Sequence, residues 1–383
     1  MDQPAAVLPL QTPKDVSIED IEQELNKIWS SKGESVAARA ATFSLVVYES
    51  LDDALLLPSP TVEAIASQNP CRVIDLRAKR EGATDDAIEA QVAAYCPVTR
   101  EQRSSLVCCE YITLKAPEAA LVRACSTVAS LLIPNLPTFL WWQGNLDLNS
   151  LLFQKLVALS NRVIVDSRGF VNPEEDLQEI HLLISEGRHC GDLNWRRLLP
   201  WQELTAQAFD PPDRREALYW VDQVTIDYKA GNPCQALLFL GWLASRLGWT
   251  PTERVQTREH DYEIDRIRFQ TQTGGEVRAE LAAVPLVSEI SQPGDLIGLR
   301  LTSSNREADA CTVLCSETTG CMRMEAMGGA QRCVIRQVAP LEQDSLETLL
   351  AAELQRLGPD YLYEETLGVV AQILKLSKSR ALG

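Results

Sequence analysis

Apolar and polar positions follow two rhythms along this chain, and the change between them divides it. In the first rhythm short apolar runs alternate with helical patterns. Ala41 to Glu49, Cys71 to Leu76, Leu106 to Leu114, Thr138 to Trp142 and Arg162 to Asp166 read as strands, the first two rich in buried residue types. Between them, Leu121, Cys125, Val128 and Leu132 recur at helical spacing, and Leu151 to Leu159 adds another apolar helix. Upstream, Ser17 with Asp20 resembles a capping box, and Ile18, Ile21, Leu25 and Ile28 form the stripe of a docking helix behind a polar, proline-containing tail. Such alternation predicts an α/β layer with a largely parallel sheet.

The second rhythm is mainly β. Val221 to Lys229 alternates, and a helix runs from Pro233 through Leu237, Leu240, Trp242 and Leu247 to Gly248. Six strand candidates follow: 262–270, 276–282, 296–302, 311–316, 321–326 and 332–338. Two helices close the chain, with Leu346, Leu350, Leu354 and Leu357 on the first and Leu362, Val369, Ile373 and Leu376 on the second. The expected fold is an N-terminal α/β domain with a largely parallel sheet, then a C-terminal α+β domain with a mainly antiparallel sheet and two terminal helices. The Phe209 to Asp213 segment, FDPPD, suggests the boundary. The expected division is 1–40 for tail and docking helix, 41–212 for the α/β domain and 213–383 for the α+β domain.

The stretch Leu131 to Gly144, LLIPNLPTFLWWQG, joins helix to strand at the centre of the first pattern. Pro134 and Pro137 end the helix because proline lacks a donor and disfavours α geometry before it, and Asn135 suits the turn. Trp141 and Trp142 point to opposite faces of the strand, which favours core packing over an exposed aromatic site.

Charge and composition narrow the function. The chain has 383 residues, 45% hydrophobic and 23% charged, ordinary for a globular protein. A net charge of −17 opposes nucleic acid and anionic membrane surfaces. No apolar run approaches the roughly 20 residues that span a bilayer, and the start, MDQPAAVLPLQTPKD, lacks the basic and apolar regions of a signal peptide. A cytoplasmic location is expected. In that compartment the eleven cysteines stay mostly as buried thiols.

Enzyme motifs are missing. There is no Gly-x-Gly-x-x-Gly, Walker-type or Gly-x-Ser-x-Gly sequence, and His181, His189 and His260 lack metal-ligand spacing. Asp166, Ser167 and Arg168 follow a buried-looking strand, where α/β proteins place ligand-binding groups. They fit a sugar-phosphate or nucleotide enzyme, and equally a loop that caps the next helix; the capping role is favoured. Cys315 and Cys321 flank Ser-Glu-Thr-Thr-Gly between two strands. A short hairpin loop is expected to set them opposite each other, with Cβ atoms about 4.5 to 5.5 Å apart, near disulfide reach. The same spacing fits two strand cysteines kept reduced. Cys311 and Cys333 are the alternative pair, and the four lack the Cys-x-x-Cys knuckles of a zinc site or a thiol oxidoreductase.

A helix leading through Pro134-x-Leu136-Pro137 into Trp141-Trp142 resembles the signature of the OpcA family of glucose-6-phosphate dehydrogenase assembly or effector proteins. Val165-Asp166-Ser167 and the order helix, Gly358-Pro359-Asp360, Tyr361-x-Tyr363-Glu364-Glu365 add to the likeness. The resemblance implies a non-catalytic protein, without cofactor or metal, that binds glucose-6-phosphate dehydrogenase and promotes its assembly or allosteric activation in the oxidative pentose phosphate pathway. It further implies a thioredoxin-responsive Cys-x5-Cys pair, matched by Cys315 and Cys321. In the family the signature residues Pro134, Leu136, Pro137, Trp141, Trp142, Asp166 and Ser167 carry no catalytic role, so a structural one is expected of them.

Overall fold

A computed structural model of the chain describes residues 7–30, 37–39, 41–50, 61, 65, 69–79, 87–97, 106–210, 212–259, 262–285, 292–305, 310–316, 321–327, 334–340, 345–376 and 379–380. The elements run β1 (Val7–Val16), α1 (Ile21–Ser30), β2 (Ala37–Arg39), β3 (Phe43–Ser50), β4 (Cys71–Lys79), β5 (Glu89–Pro97), β6 (Leu106–Pro117), α2 (Glu118–Leu131), β7 (Thr138–Gln143), α3 (Leu151–Leu159) and β8 (Arg162–Val165). There follow α4 (Pro173–Ser185), β9 (Cys190–Asp192), α5 (Leu199–Phe209), β10 (Gln223–Lys229), α6 (Cys234–Leu247), β11 (Thr250–Glu259), β12 (Tyr262–Gln270), β13 (Glu276–Val284) and β14 (Leu296–Thr302). The last are β15 (Ala310–Ser316), β16 (Cys321–Met327), β17 (Val334–Pro340), α7 (Leu346–Glu353), α8 (Tyr361–Lys375) and β18 (Ser379–Arg380). No described helix is long and apolar enough to cross a membrane.

Two units form. The first comprises residues 1–165, 187–193 and 345–359; the second comprises 166–186, 194–344 and 360–383. This differs from the single boundary expected near Phe209 to Asp213. The chain leaves the first sheet after β8, returns to it for β9, and returns again for α7, because β8 needs a neighbour and the sheet needs a cover.

In the first unit the sheet runs β1-β5-β6-β4-β3-β7-β8-β9, with β2 also pairing β6. From β6 to β9 the neighbouring strands are parallel, while β5 pairs antiparallel with both β6 and β1. The polar N-terminal tail therefore contains a strand, and β5 is a strand that its alanine-rich sequence does not announce. The docking helix α1 buries Ile21, Leu25 and Ile28, but the hydroxyl of Ser17 bonds the Asp20 carboxylate at 2.7 Å and caps no backbone group. One face of the sheet presents Leu45, Val47, Val73, Phe139, Trp141 and Ile164 to Leu349, Leu350 and Leu354 at the chain's C-terminal return. On the opposite side Trp142 meets Phe153 of α3 edge to face, with ring centroids 4.8 Å apart.

In the second unit the order is β17-β16-β15-β14-β10-β13-β12-β11-β18. Its pairs are antiparallel except β10 with β13 and β11 with β18. Helix α6 is buried from Cys234 through Gly241, as expected of a helix apolar on every side. Gly241 lets α8 come close: a Cβ there would lie 2.6 Å from Val370 Cγ2 and 3.0 Å from the Thr366 carbonyl. The buried stripe of α8 is Tyr363, Thr366, Leu367, Val370 and Ile373, rotated from the expected one, and Leu362 is exposed. Tyr363 packs against Trp195, and the hydroxyl of Thr366 donates to the Leu362 carbonyl at 2.7 Å, so both polar-bearing residues can go inside.

Candidate functional site

The signature turn borders a cavity in the first unit. Asn135 takes the left-handed conformation, φ 62°, between the two prolines that end α2. Leu132, Ile133, Pro134 and Leu136 line a space of about 410 Å³ together with Arg72, Glu110 and Glu22. Arg72 is buried, its Nε donating to Glu110 at 2.7 Å and its Nη1 to Glu22 and to the Leu131 carbonyl, both at 2.6 Å. Trp29 Nε1 holds the second Glu110 oxygen at 2.8 Å. The arginine thus ties together α1, β4, β6 and the last carbonyl of α2, and the turn rests against that tie.

Beyond the turn, Trp141 and Trp142 are 1% and 5% exposed. Trp142 stacks on Tyr48 with centroids 3.9 Å apart, and its Nε1 donates to the Asn145 carbonyl at 3.0 Å. Burial, then the Glu118 carboxylate, push the Tyr48 phenol up to about 12. Trp141 lies in the core of the other face, and its Nε1 has no hydrogen-bond partner.

Glu49 and Gln143 occupy the C-terminal ends of β3 and β7, where strands adjoin that lead away in opposite directions, and Gln143 donates to Glu49 at 3.0 Å. Open α/β sheets bind ligands at this kind of position. Burial, then the Asp75 carboxylate, raise the Glu49 carboxyl above its ordinary value. Asp75 is buried, accepts from Arg77 and the Tyr111 hydroxyl at 2.8 Å each, and leaves Oδ1 without a partner. Desolvation raises its carboxyl too. Glu49 and the stacked Tyr48–Trp142 pair thus mark these strand ends, with the buried Asp75–Arg77 pair beside them.

Asp166, Ser167 and Arg168 lie in the second unit and are held by its own residues. Asp166 accepts from the Arg168 backbone at 3.2 Å and from both Arg197 Nη atoms at 2.7 and 2.8 Å. Arg168 pairs with Asp295. Asn232 Nδ2 donates to the carbonyls of Ser167, Arg168 and Phe170 at 2.9 to 3.3 Å, while Asn194 Nδ2 donates to the Ser167 hydroxyl at 3.0 Å. Gln235 extends the network to Asn194 and to the Leu296 N–H. Both charges of the loop are thereby matched by side chains distant in sequence, and none of these partners stood out in the pattern. The neighbouring cavity, about 450 Å³, is lined by Asn172, Pro173, Gly231 and Asn232 and by the carboxylates Glu174 and Glu175.

Strands β15 and β16, which carry the candidate cysteines, pair antiparallel. Cys321 pairs with Ser316 and Cys315 with Met322, one residue away from the direct opposition expected. Cys311 pairs with Ala326, and Cys333 lies outside the described residues. A different thiol pair meets in the first unit: the Cys71 N–H donates to Cys109 Sγ at 3.4 Å, and both residues are buried. Cys71 and Cys109 are neighbours only because β4 and β6 are.

Comparison with known proteins divides the chain into two consecutive segments. Residues 62–182 match the glucose-6-phosphate dehydrogenase subunit N-terminal domain, and residues 188–367 the corresponding C-terminal domain. A relative from Nostoc punctiforme is 42% identical, over 98% of this chain and 97% of its own. Relatives from Synechococcus elongatus and Synechocystis are 40% and 39% identical over 96% and 97% of this chain, and over 98% and 94% of their own. All three bear the name OxPP cycle protein OpcA. Among solved structures, a biliverdin reductase from Synechocystis aligns at 8% identity and a TM-score of 0.46 over 87% of this chain and 98% of its own, too loose a likeness to bear on activity. With its signature turn, its Trp-Trp strand and both domains matched, the chain belongs to the OpcA family of glucose-6-phosphate dehydrogenase assembly proteins.

Proposed function

We propose that the protein is a non-catalytic, cytoplasmic effector that binds glucose-6-phosphate dehydrogenase and promotes its assembly or allosteric activation. The observation that carries this reading is the match of both halves of the chain to subunit domains associated with that dehydrogenase, with full-length relatives near 40% identity. Two features of the sites agree with it. The Asp166–Arg168 loop spends its charges on Arg197 and Asp295, and Glu49, bonded to Gln143, stands at the strand ends where a sheet of this kind would receive a phosphate. The effector acts by binding the active form of the dehydrogenase better than the inactive one, since a ligand shifts an equilibrium only through differential affinity.

The reading includes a redox response through Cys315 and Cys321 with thioredoxin as reductant. Two thiols would give up two protons and two electrons to an oxidant and recover them from the thioredoxin dithiol. Since Cys321 pairs with Ser316 in the ladder, bond formation requires the hairpin end to open or re-pair by one residue.

The test is a coupled assay with the purified protein and the dehydrogenase of the same organism. The protein alone should not reduce NADP with glucose-6-phosphate, and its addition should change the dehydrogenase kinetics. Turnover by the protein itself that survives repurification, or no binding in either redox state, overturns the reading.

A further inference from the structure

Cys71 and Cys109 have no part in the function proposed above, yet they are placed as a pair and not as two separate core residues. Strands β4 and β6 are parallel neighbours whose ladder pairs Arg72 with Glu110 and Val73 with Tyr111. Cys71 and Cys109 stand one step before Arg72 and Glu110, and they join Val73 and Tyr111 in the hydrophobic core on one face of the sheet. Neighbouring strands lie about 4.8 Å apart, inside the range of roughly 4.4 to 6.8 Å that a disulfide spans between Cα atoms. Hydrogen bonds show the contact: the Cys71 N–H donates to Cys109 Sγ at 3.4 Å, and the two thiols bond each other.

The two sulfurs are chemically unlike. The hydrogen bond from the Cys71 thiol, helped by the Cys71 N–H, holds the Cys109 thiol below its ordinary value, against burial and the Glu110 carboxylate. Donating that bond, and then burial, push the Cys71 thiol well up. In its protonated form Cys109 donates to the Asn69 carbonyl at 3.5 Å. A sulfur disposed to ionise beside one that keeps its proton has the division of roles of an attacking and a resolving thiol. A buried thiol also needs a route for its reagent, and the cavity of about 410 Å³ beside the signature turn has Cys71 among its lining residues.

We propose that Cys71 and Cys109 are a second redox-active dithiol, separate from Cys315 and Cys321, which hydrogen peroxide closes to a disulfide across β4 and β6 and a dithiol reductant reopens. The Cys109 thiolate attacks the peroxide, so that an S–O bond forms, the O–O bond breaks and hydroxide leaves. The Cys71 sulfur then displaces the hydroxyl of this sulfenic acid, and the S–S bond forms as the two thiol protons depart in two molecules of water. Two electrons have passed to the peroxide, and a dithiol returns two electrons and two protons. One step along the ladder, Arg72 and Glu110 hold α1 through Glu22 and Trp29, so the bond forms beside the tie that fastens the docking helix.

The test treats the folded full-length protein with hydrogen peroxide, in the parent and in Cys315→Ser with Cys321→Ser, and maps the cysteines by differential alkylation and peptide mass spectrometry. Both should yield a peptide joining Cys71 to Cys109, with fragment ions that exclude Cys108, and dithiothreitol should abolish it. Cys71→Ser leaves Cys109 without its resolving thiol, so dimedone should trap its sulfenic acid several-fold more than in the parent. Cys109→Ser should leave Cys71 a thiol at the same dose. Thermal melting checks that the serine variants keep the fold, and the mapping in the parent stands without them. Recovery of Cys71 and Cys109 as thiols at doses that oxidise other cysteines overturns the proposal. So does a bond from Cys109 to Cys108 or Cys125, or a Cys71–Cys109 bond that appears only after unfolding in urea.

Discussion

Arg162 and Glu353, 191 positions apart in the chain, form a fully buried ion pair in which Nη2 and Nε of the arginine donate to one carboxylate oxygen at 2.8 and 3.1 Å. Nη1 donates to the Gly358 carbonyl at 2.7 Å. Gly191 on β9 makes the room, since a Cβ there would lie 2.1 Å from the carboxylate. The pair fastens the returning C-terminal segment to β8. Removing one partner strands the other charge, so Arg162→Ala should lose about 3 to 5 kcal/mol of stability in urea denaturation. Arg162→Met with Glu353→Leu should recover most of it.

The two tryptophans of β7 separate by their indole nitrogens. Either alanine variant should lose about 3 to 5 kcal/mol, as for other buried large aromatics. Trp141→Phe removes a donor that has no partner, whereas Trp142→Phe forfeits the bond to Asn145. Chemical denaturation should therefore find Trp141→Phe the milder of the two. A well-folded Trp142→Ala that no longer binds the dehydrogenase would show instead that the pair is a contact surface.

Glu49 makes stability depend on pH. Its carboxyl is raised in the folded state by burial and by Asp75, so the folded form holds its proton more tightly than the unfolded chain does. Stability is then lost as pH rises from the ordinary glutamate value through the raised one. Glu49→Gln keeps a hydrogen-bonding partner for Gln143 and removes this loss. Relative to the parent, the variant should gain stability between pH 4 and pH 7, read from denaturation midpoints at both.

Oxidation tests the hairpin. Mild oxidation followed by peptide mass spectrometry should find Cys315 joined to Cys321, and Cys315→Ser and Cys321→Ser should each abolish the redox response of the dehydrogenase assay. Hydrogen exchange should show the end of the β15–β16 ladder opening on oxidation, because Ser316 must leave Cys321. A bond from Cys311 to Cys333, or serine variants with the full response, would remove the assignment.

Strands buried on both faces were legible as unbroken apolar runs: β3, β4, β7 and β8 stand close to where the pattern puts them. The second sheet was legible for the opposite reason, since one face meets water and its strands alternate. Strand β11 was not, because its inward residue is Arg254, a buried charge made tolerable by Asp265 and by Glu174, 80 positions away. Local periodicity has no term for a partner that arrives from another element.

The same limit divides the site. The sequence by itself determined that α2 must end at Pro134 and favoured a core place for the Trp-Trp strand, because each follows from backbone chemistry within a few residues. Tertiary structure alone decided that Arg197 and Asp295 neutralise that turn, that Arg162 meets Glu353, and that Cys71 lies beside Cys109. It also decided the register that pairs Cys321 with Ser316. A shift of one residue keeps every apolar run intact and changes every neighbour, so the choice belongs to the packed sheet and cannot be read from the strand.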